Sequence, residues 1–352
     1  MYTTKSINRL YLPLALAIGV ASLGLFVAWP FTVDDAFISF RYARNLSDGH
    51  GLVWNQGLDP VEGYTNFLWV IVCSLFELLF GSSETPAKVL GVILLLGVLS
   101  LVYFSVYSRT KNISLCFFSV FSLLLFPPTY YHTVSGLETL LYTLLILSMF
   151  EIGSRVIKRE SLYYLVPVIP FLGLLLGLTR PEGLLPAAVV FGFALVQIPS
   201  ASRRRLLVYI CIAAIPAIIY MFWRINYFGY LLPNTFYVKS ESDITITAIN
   251  SLEWFIDKGS IIVSIVGIYL IGTSKLRTNT KYNITFILSI VITYLILTPG
   301  MDYLSRFIYS SLPVLTILVS LSLSKIIGNQ NPLSSTKWSL MYSSILMGLV
   351  SL

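Results

Sequence analysis

The sequence predicts an all-α integral membrane protein that crosses the bilayer many times. Of its 352 residues, 56% are hydrophobic and 11% are charged, whereas soluble domains carry about 25% charged residues. The mean hydropathy is +0.82. Apolar runs of about 16–20 residues recur along the chain, and helices of roughly this length can cross the hydrocarbon layer of a membrane.

Charge and cysteine content exclude several other classes. The net charge of +7 does not indicate nucleic-acid binding, because no contiguous basic surface lies outside the apolar runs. We interpret it through topology, since basic residues gather at the cytoplasmic ends of membrane helices. Cys73, Cys116 and Cys211 all lie inside apolar runs, so the sequence predicts neither a disulfide framework nor a thiolate metal site.

Twelve apolar segments are candidate membrane helices: 10–29, 66–80, 87–107, 113–128, 137–153, 162–178, 183–199, 206–223, 259–274, 283–298, 307–325 and 337–352. The first follows Lys5 and Arg9 and could be mistaken for a signal peptide. No small-x-small cleavage site precedes Trp29, and further apolar segments follow. We therefore expect the first segment to be retained as a helix.

The second segment, 66–80, is the doubtful one because it is short and contains Glu77. If it does not cross and the N-terminus is cytoplasmic, the cytoplasmic ends carry 15 of the 23 lysines and arginines; if it crosses, they carry eight. Each basic residue near anionic lipid contributes about 1 kcal/mol, so the first arrangement is favoured. The sequence therefore predicts 11 spans and one re-entrant or interfacial helix.

This topology places the distinctive polar clusters on the extracytoplasmic side. The cytoplasmic loops are short, basic and featureless by comparison. The outward clusters are DD at 34–35, GYTN at 63–66, SGLE at 135–138, TRPEG at 179–183, LPNTFY at 232–237, and GMD at 300–302 with Arg306. We therefore expect the working face to be extracytoplasmic.

Asp34 and Asp35 open a short predicted helix that ends before Gly49. Thr32 as the helix cap with Asp35 three residues later would form a capping box, which would give Asp35 a structural role. The alternative is that one of the two aspartates is a general base at the membrane surface. On the same helix, Arg41 and Arg44 share one face, where they could bind a phosphate or pair with lipid headgroups.

The TRPEG segment interrupts an otherwise continuous apolar stretch. An arginine close to hydrocarbon is costly unless it is paired or serves a polar cavity. Arg180 could therefore form a turn through an ion pair with Glu182, or it could serve a site. Glu138 in SGLE is a similar feature, an acid in the first turn of a helix. His50 and His132 are expected to be structural, and no spacing indicates a metal site.

Two further segments leave alternatives open. The stretch from Tyr227 to Lys239 (YFGYLLPNTFYVK) is typical of an interfacial aromatic belt, or of a lid with rings for a sugar and a lysine for a phosphate. Asp302 and Arg306 are four residues apart on one helical face. They could form a salt bridge with each other or contribute to a site.

These segments together resemble a known family. The motifs DDAFISFRYARNLSDGHGLVWN, VEGYTN, SGLET, LTRPEG, LLPNTFYVK and GMDYLSRF are similar to those of the bacterial terminal arabinofuranosyltransferase family, which also contains proteins labelled flagellar motor control protein. That family belongs to the GT-C superfamily of polyprenyl-phosphate-sugar glycosyltransferases. The resemblance covers about residues 10–315.

The resemblance implies a GT-C-type enzyme of the bacterial inner membrane that transfers sugar from a polyprenyl-phosphate donor to an extracytoplasmic glycan or lipid acceptor. An aspartate just after the first span would be the base, which by position is Asp34 first and Asp35 second. The candidates for donor phosphate binding are, in order, Arg180, Arg306, Arg41 and Lys239. Supporting roles are expected for Arg44, Glu62, Tyr64, Asn66, Glu138, Glu182, Asn234 and Asp302.

We expect no cofactor and a single transmembrane domain over 1–352, with the site carried by the first extracytoplasmic loop, 30–86. Members of the family commonly continue into a soluble domain, whereas this sequence ends in an apolar run at Leu352, and a Gly-Gly-Asp usual in the family reads Gly300-Met301-Asp302 here. A non-enzymatic alternative is a lipid-sugar transporter or an assembly factor for a surface structure. A transporter is expected to place polar groups near the middle of the membrane, whereas here they gather at one face.

Overall fold

A computed structural model describes residues 4–158, 163–231, 233–234, 253, 278–296 and 303–327. Over these residues the chain is all-α, with no strand. Short 3-10 turns occur at Tyr163–Leu165, Pro181–Gly183 and Tyr303–Ser305. The α-helices are α1 (Thr4–Ala28), α2 (Asp34–Ser47), α3 (Phe67–Phe80), α4 (Glu84–Thr110), α5 (Ile113–Leu124), α6 (Pro128–Val134), α7 (Thr139–Ile157), α8 (Val168–Thr179), α9 (Leu184–Gln197), α10 (Ser200–Phe228), α11 (Thr278–Ile296), α12 (Arg306–Tyr309) and α13 (Leu312–Ile327).

The long helices run back and forth between two ends of the bundle. At one end, Thr32 after α1 donates to Glu84 at the start of α4 (Oγ1 to Oε1, 2.6 Å). At the other end, Arg109 near the end of α4 pairs with Glu151 of α7 (Nη1 to Oε2, 3.0 Å). We call these the loop end and the basic end. The start of α7, the end of α8 and the end of α10 all lie at the loop end, where Glu138 contacts Arg180.

Helix α3 starts and finishes at the loop end. Just before it, Asn66 donates to Glu138 (Nδ2 to Oε2, 2.7 Å). Just after it, Glu77 accepts a hydrogen bond from the backbone N–H of Ser83 (2.8 Å), immediately before α4 begins. Its 14 residues span only about 21 Å at 1.5 Å per residue. Its re-entrant or interfacial position in a membrane stays a prediction.

Among the described residues, three helices are long and apolar enough to cross a membrane: Glu84–Thr110, Thr139–Ile157 and Ser200–Phe228. The pair α5 and α6, bent by 68°, would make a fourth. Other apolar helices such as Val168–Thr179 are shorter, and two of the predicted segments, 259–274 and 337–352, lie outside the described residues. The expected number of 11 spans therefore stays a prediction.

A continuous apolar core joins α4, α5, α7, α8, α9, α11 and α13. The contact between α4 and α6 is close enough to require glycine, because a Cβ on Gly91 would lie 1.9 Å from the carbonyl oxygen of Thr133. Small residues at helix crossings are typical of membrane bundles. This packing fixes the ends of α6 and α7, and with them the position of the 132–138 segment.

Candidate functional site

A charged cluster at the loop end brings together residues from four separate segments. We define the charged cluster as Asn66, Glu138, Arg180, Glu182 and Arg306. At its centre, Arg180 Nε lies 2.6 Å from Glu138 Oε1, and both side chains are almost fully buried. The SGLE and TRPEG motifs, which are 42 residues apart, therefore meet in the fold.

Local sequence explains how Arg180 reaches this place. It is the last residue before Pro181 and has an extended backbone (φ −152°, ψ 127°), as expected because a proline disfavours the helical conformation of the residue before it. Helix α8 therefore ends here, and the side chain leaves the helix axis. Its guanidinium also lies over the ring of Tyr142, 5.3 Å from the centroid.

Glu138 is placed by a tight connection before α7. Gly136 has φ +82°, and a Cβ there would lie 2.9 Å from Phe40 and 3.0 Å from Ala36 of α2. Only glycine suits this combination of positive φ and close packing. The carbonyl of Gly136 also accepts from Trp69 Nε1 (2.9 Å), so the segment is held between α2 and α3.

Burial alone would raise the pKa of Glu138, but the positive charges of Arg180 and Arg306 and the hydrogen bond from Asn66 outweigh it and lower the pKa. The carboxylate is thus ionised. For Glu182 the balance is the opposite, because burial raises its pKa more than Arg180 lowers it. Accordingly, Glu182 Oε1 is 3.9 Å from Arg180 Nη1, and the local ion pair expected within TRPEG is secondary to the pair with Glu138.

Arg306 has spare hydrogen-bonding capacity inside the charged cluster. Its Nε is buried without a hydrogen-bond partner among the described residues. Burial and the nearby charge of Arg180 lower its pKa, while Glu138, Asp35 and Glu182 act to raise it.

The two aspartates of α2 have different surroundings. Asp34 is exposed, and its Oδ1 accepts from the backbone N–H of Asp35 (3.1 Å). The capping box considered for Asp35 is wrong: Val33 is the N-cap and makes no side-chain cap hydrogen bond. The reason is that the hydroxyl of Thr32 is bound to Glu84, 52 residues away. Asp35, which is half-buried, is thus not occupied by capping.

Arg41 and Arg44 lie on α2 but have partners outside the charged cluster. Arg41 donates to the carbonyl of Trp54 (2.8 Å) and to Asn55 Oδ1 (2.7 Å). Arg44 is largely exposed and pairs with Glu77 Oε2 at 3.3 Å. Ser39 of the same helix does reach the charged cluster, through its hydrogen bonds with the side chain of Asn66. A phosphate-binding role for the two arginines stays a prediction.

Glu62 and Tyr64 belong to a second buried group. Glu62 binds Arg224 of α10 through both carboxylate oxygens, with Nε to Oε1 at 2.8 Å, and its backbone oxygen accepts from the N–H of Asn234 (3.0 Å). The hydroxyl of Tyr64 is buried without a hydrogen-bond partner among the described residues. Burial raises the pKa of Tyr64. Arg224 was not expected from the sequence.

The remaining expectations concern two residues outside the described part of the chain, one histidine and the metal ligands. Lys239 and Asp302 lie outside the described residues. His132 Nε2 is 2.9 Å from the carbonyl oxygen of Leu304, which fits the structural role expected for it. Within the described ranges, no group of three or more His, Cys, Asp or Glu side chains could hold a metal ion.

Comparison with known proteins identifies one distant relative in sequence. No protein-family profile matches the chain. It is 26% identical over 221 residues to the terminal β-(1→2)-arabinofuranosyltransferase of Mycobacterium tuberculosis, an alignment that covers 58% of this chain and 34% of that protein. The chain thus spans about a third of the length of the curated relative that it matches. This distant homology agrees with the family that the motifs resemble.

The fold is similar to that of ArnT from Cupriavidus metallidurans, whose crystal structure contains bound undecaprenyl phosphate. The TM-score is 0.60 at 15% sequence identity, and the match covers 94% of this chain and 63% of ArnT. At this identity the likeness shows the fold, which is an ArnT-like membrane fold.

Proposed function

We propose that the chain is a membrane glycosyltransferase that moves a sugar from a polyprenyl-phosphate donor to an extracytoplasmic glycan or lipid acceptor. The observation that carries this proposal is the buried charged cluster, in which Arg306 Nε has no hydrogen-bond partner among the described residues, at the end of the bundle where Asp35 lies in the first turn of α2. Distant homology to an arabinofuranosyltransferase and the ArnT-like fold support the same reaction class.

The charged cluster suits a singly charged phosphodiester. Arg180 is neutralised by Glu138 at 2.6 Å, while burial favours the neutral form of Glu182. Arg306 is left with an Nε–H that can donate to a phosphate oxygen. Charge-assisted hydrogen bonds of this kind are among the strong ones in proteins. We assign Arg306 the donor phosphate and Arg180 the task of positioning, which reverses the order that the sequence suggests.

The reaction would follow an inverting displacement. The carboxylate of Asp35 removes the proton from an acceptor hydroxyl, whose oxygen forms a bond to the anomeric carbon of the donor. The bond between that carbon and the phosphate oxygen breaks, and its electron pair leaves with polyprenyl phosphate. The phosphate gains a negative charge in this step, so a donor group beside it stabilises the transition state more than the ground state.

Asp34 remains the second candidate for the base because it is exposed at the same helix start. The donor lipid would lie along the apolar surface beside α3, with the loop end facing the extracytoplasmic side and the N-terminus in the cytoplasm. Lys239 and Asp302, which the sequence also suggests, are retained as candidates for phosphate binding and support.

The test is sugar transfer by the purified protein in lipid nanodiscs, with undecaprenyl phosphate carrying a radiolabelled pentose or hexose as donor. We expect Asp35→Asn to lower the rate by about 10²–10⁴-fold, the usual contribution of a general base. Asp34→Asn should have a smaller effect. The matched control is Asp48→Asn, an exposed aspartate at the C-cap of the same helix, which should keep the wild-type rate.

Full activity of Asp35→Asn would overturn the assignment of the base. If the wild-type protein transfers sugar from no donor of the panel, the non-enzymatic alternative, a transporter or an assembly factor, is favoured instead.

A further inference from the structure

A separate pocket opens beside α2, on a face next to the one that meets the charged cluster. Its volume is about 330 Å³, at the lower end of the range of about 300–1,000 Å³ for small-molecule sites. The side chains that give it chemical character are those of Ile38, Tyr42, Trp54, Asn55, Asp59 and Asn234. None of the lining residues is basic.

The indole of Trp54 is held in a fixed position. The guanidinium of Arg41 lies over the ring, 4.2 Å from its centroid, and also donates to the carbonyl of Trp54. From the interior side, Asn45 Nδ2 donates to the carbonyl of Val53 (2.7 Å). A preorganised aromatic ring loses little conformational entropy when a ligand packs against it.

The side chain of Tyr42 ties the pocket wall to α2. Its hydroxyl donates to the carbonyl of Val61 and accepts from the N–H of Gly63 (3.0 Å). Burial raises the pKa of Tyr42, so the hydroxyl keeps its proton and can donate. The 61–66 segment is thus fixed at the pocket and, three residues later, at the charged cluster through Asn66.

Helix α2 therefore presents two neighbouring faces to two sites. Asp35 and Ser39 are four residues apart and lie on the face of the charged cluster. Ile38 and Tyr42 are also four apart and line the pocket. The two pairs are offset by three residues, about 60° around the helix axis at 3.6 residues per turn. A ligand in the pocket would lie next to the proposed catalytic centre.

We infer that this pocket binds a neutral sugar ring of the acceptor, an inference that rests on the proposed glycosyltransferase function. An aromatic ring offers its face to the C–H side of a sugar, while Asp59, Asn55 and Asn234 offer hydrogen-bonding groups to its hydroxyls. Asp59 is the charged residue of the lining, and its charge disfavours an anionic ligand. The guanidinium of Arg41, which contacts two of the lining residues, is engaged by the Trp54 ring, the Trp54 carbonyl and Asn55 Oδ1. A lipid chain would leave these polar groups without partners.

Binding can be measured without donor or catalysis. The probes are the methyl glycosides of glucopyranose, galactopyranose, mannopyranose and arabinofuranose, titrated by saturation-transfer NMR on the protein in nanodiscs. We expect at least one to bind and Trp54→Ala to weaken it about five- to tenfold, as loss of an aromatic contact implies. Asp59→Asn, at an exposed position, should also weaken binding.

The matched controls are Trp29→Ala and Asp48→Asn. Trp29 is a partly exposed tryptophan outside the pocket, and Asp48 is an exposed aspartate outside it. Both should bind the glycoside as the wild type does. The inference is overturned if no methyl glycoside binds, or if Trp54→Ala and Asp59→Asn bind as tightly as the controls.

A second measurement separates this inference from the proposed function. Hydrolysis of the radiolabelled donor by water needs no acceptor, so Trp54→Ala should retain the wild-type rate of hydrolysis while its transfer to a glycan at low acceptor concentration becomes slower. If glycosides bind through Trp54 and Asp59 but no form of the protein cleaves donor, the pocket stands and the glycosyltransferase proposal falls. If the protein cleaves the donor but neither substitution weakens glycoside binding, the glycosyltransferase proposal stands and the sugar-binding pocket is overturned.

Discussion

Arg180 Nε and Glu138 Oε1 lie 2.6 Å apart and join the end of α8 to the start of α7 in the buried interior of the loop end. Each charge compensates the desolvation of the other. Asn66 donates to the second oxygen of Glu138 at 2.7 Å, so the pair also fixes the segment that precedes α3. A single ion pair therefore holds three parts of the candidate site in register.

The first prediction concerns the stability that this pair provides. Removing one partner of a buried ion pair costs about 3–5 kcal/mol, because the other charge is left buried and uncompensated. Glu138→Gln should lower the melting temperature of the detergent-solubilised protein by more than about 5 °C. Glu182→Gln is the matched control, because Glu182 Oε1 is 3.9 Å from the same arginine, and it should shift the melting temperature by much less. Equal shifts would contradict the central role of Glu138.

The second prediction concerns the pH dependence of stability. The folded protein lowers the pKa of Glu138 relative to the unfolded value of about 4.3. A lowered pKa contributes stability that is fully present above the unfolded value and is lost as the pH falls through the folded value. The melting temperature should therefore fall as the pH decreases below about 4. Glu138→Gln should show a smaller fall over the same interval, and an unchanged profile would count against the assignment.

The sequence identified the segments of the site but not the partners of their charged residues, because those partners are distant in sequence. The motifs that the fold brings together at the loop end were identified from their sequence alone, because charges beside apolar runs are costly and therefore informative. The main partner of Arg180 was not identified. The sequence suggests Glu182, two positions away, whereas in the fold Arg180 pairs with Glu138. The capping box failed for the same reason, because Thr32 binds Glu84.

Arg224 shows a signal that could have been used. It is the one arginine between Arg205 and Lys239 and lies near the end of a long apolar helix. A charge so close to hydrocarbon costs free energy unless it is paired, so the sequence predicts an acidic partner for it. Which acid pairs with it depends on the packing of α10 against the 61–66 segment. Most helix positions, in contrast, followed from apolar run length: the segment predicted at 66–80 is the helix Phe67–Phe80, and the one at 87–107 lies within Glu84–Thr110.

The third prediction concerns donor binding. Arg306→Gln removes the guanidinium whose Nε is buried without a hydrogen-bond partner among the described residues. If this group binds the donor phosphate, its loss should lower kcat/KM for the donor by about 10²–10³-fold, as loss of a group that stabilises developing charge does. Native mass spectrometry should show weaker retention of undecaprenyl phosphate.

Arg44→Gln provides the control for this change. Arg44 is an arginine of the same end of the bundle, but its side chain is 62% exposed and its ion pair with Glu77 is 3.3 Å long. Exposed pairs contribute little to stability or binding, so kcat/KM should change by less than about threefold, within the roughly 1 kcal/mol limit for such pairs. A comparable loss in both variants would point to the overall charge of the face rather than to Arg306.

The fourth prediction concerns the buried pair of Glu62 and Arg224. Glu62→Gln and Arg224→Gln should each destabilise the protein by about 3–5 kcal/mol, because each leaves a buried charge without its partner. The double variant should lose clearly less free energy of unfolding than the two single variants added together, since the two residues act as one unit. Thermal unfolding of the four proteins in one detergent measures this coupling. Additive losses would show that the two residues contribute independently.

The last prediction concerns orientation, on which the proposed function depends. In a variant whose exposed Cys211 is replaced by serine, and whose Cys73 and Cys116 are buried, cysteines introduced one at a time at Asp48 and Arg204 provide two reporters, because both positions are exposed. Asp48 follows α2 at the loop end, whereas Arg204 lies in the first turns of α10, at the opposite end of that helix from Arg224. A membrane-impermeant maleimide added to bacterial spheroplasts should label position 48 at once and position 204 only after permeabilisation. The opposite result would place the charged cluster on the cytoplasmic side. The topology predicted from the basic residues would then be wrong, and so would the proposal of an extracytoplasmic acceptor.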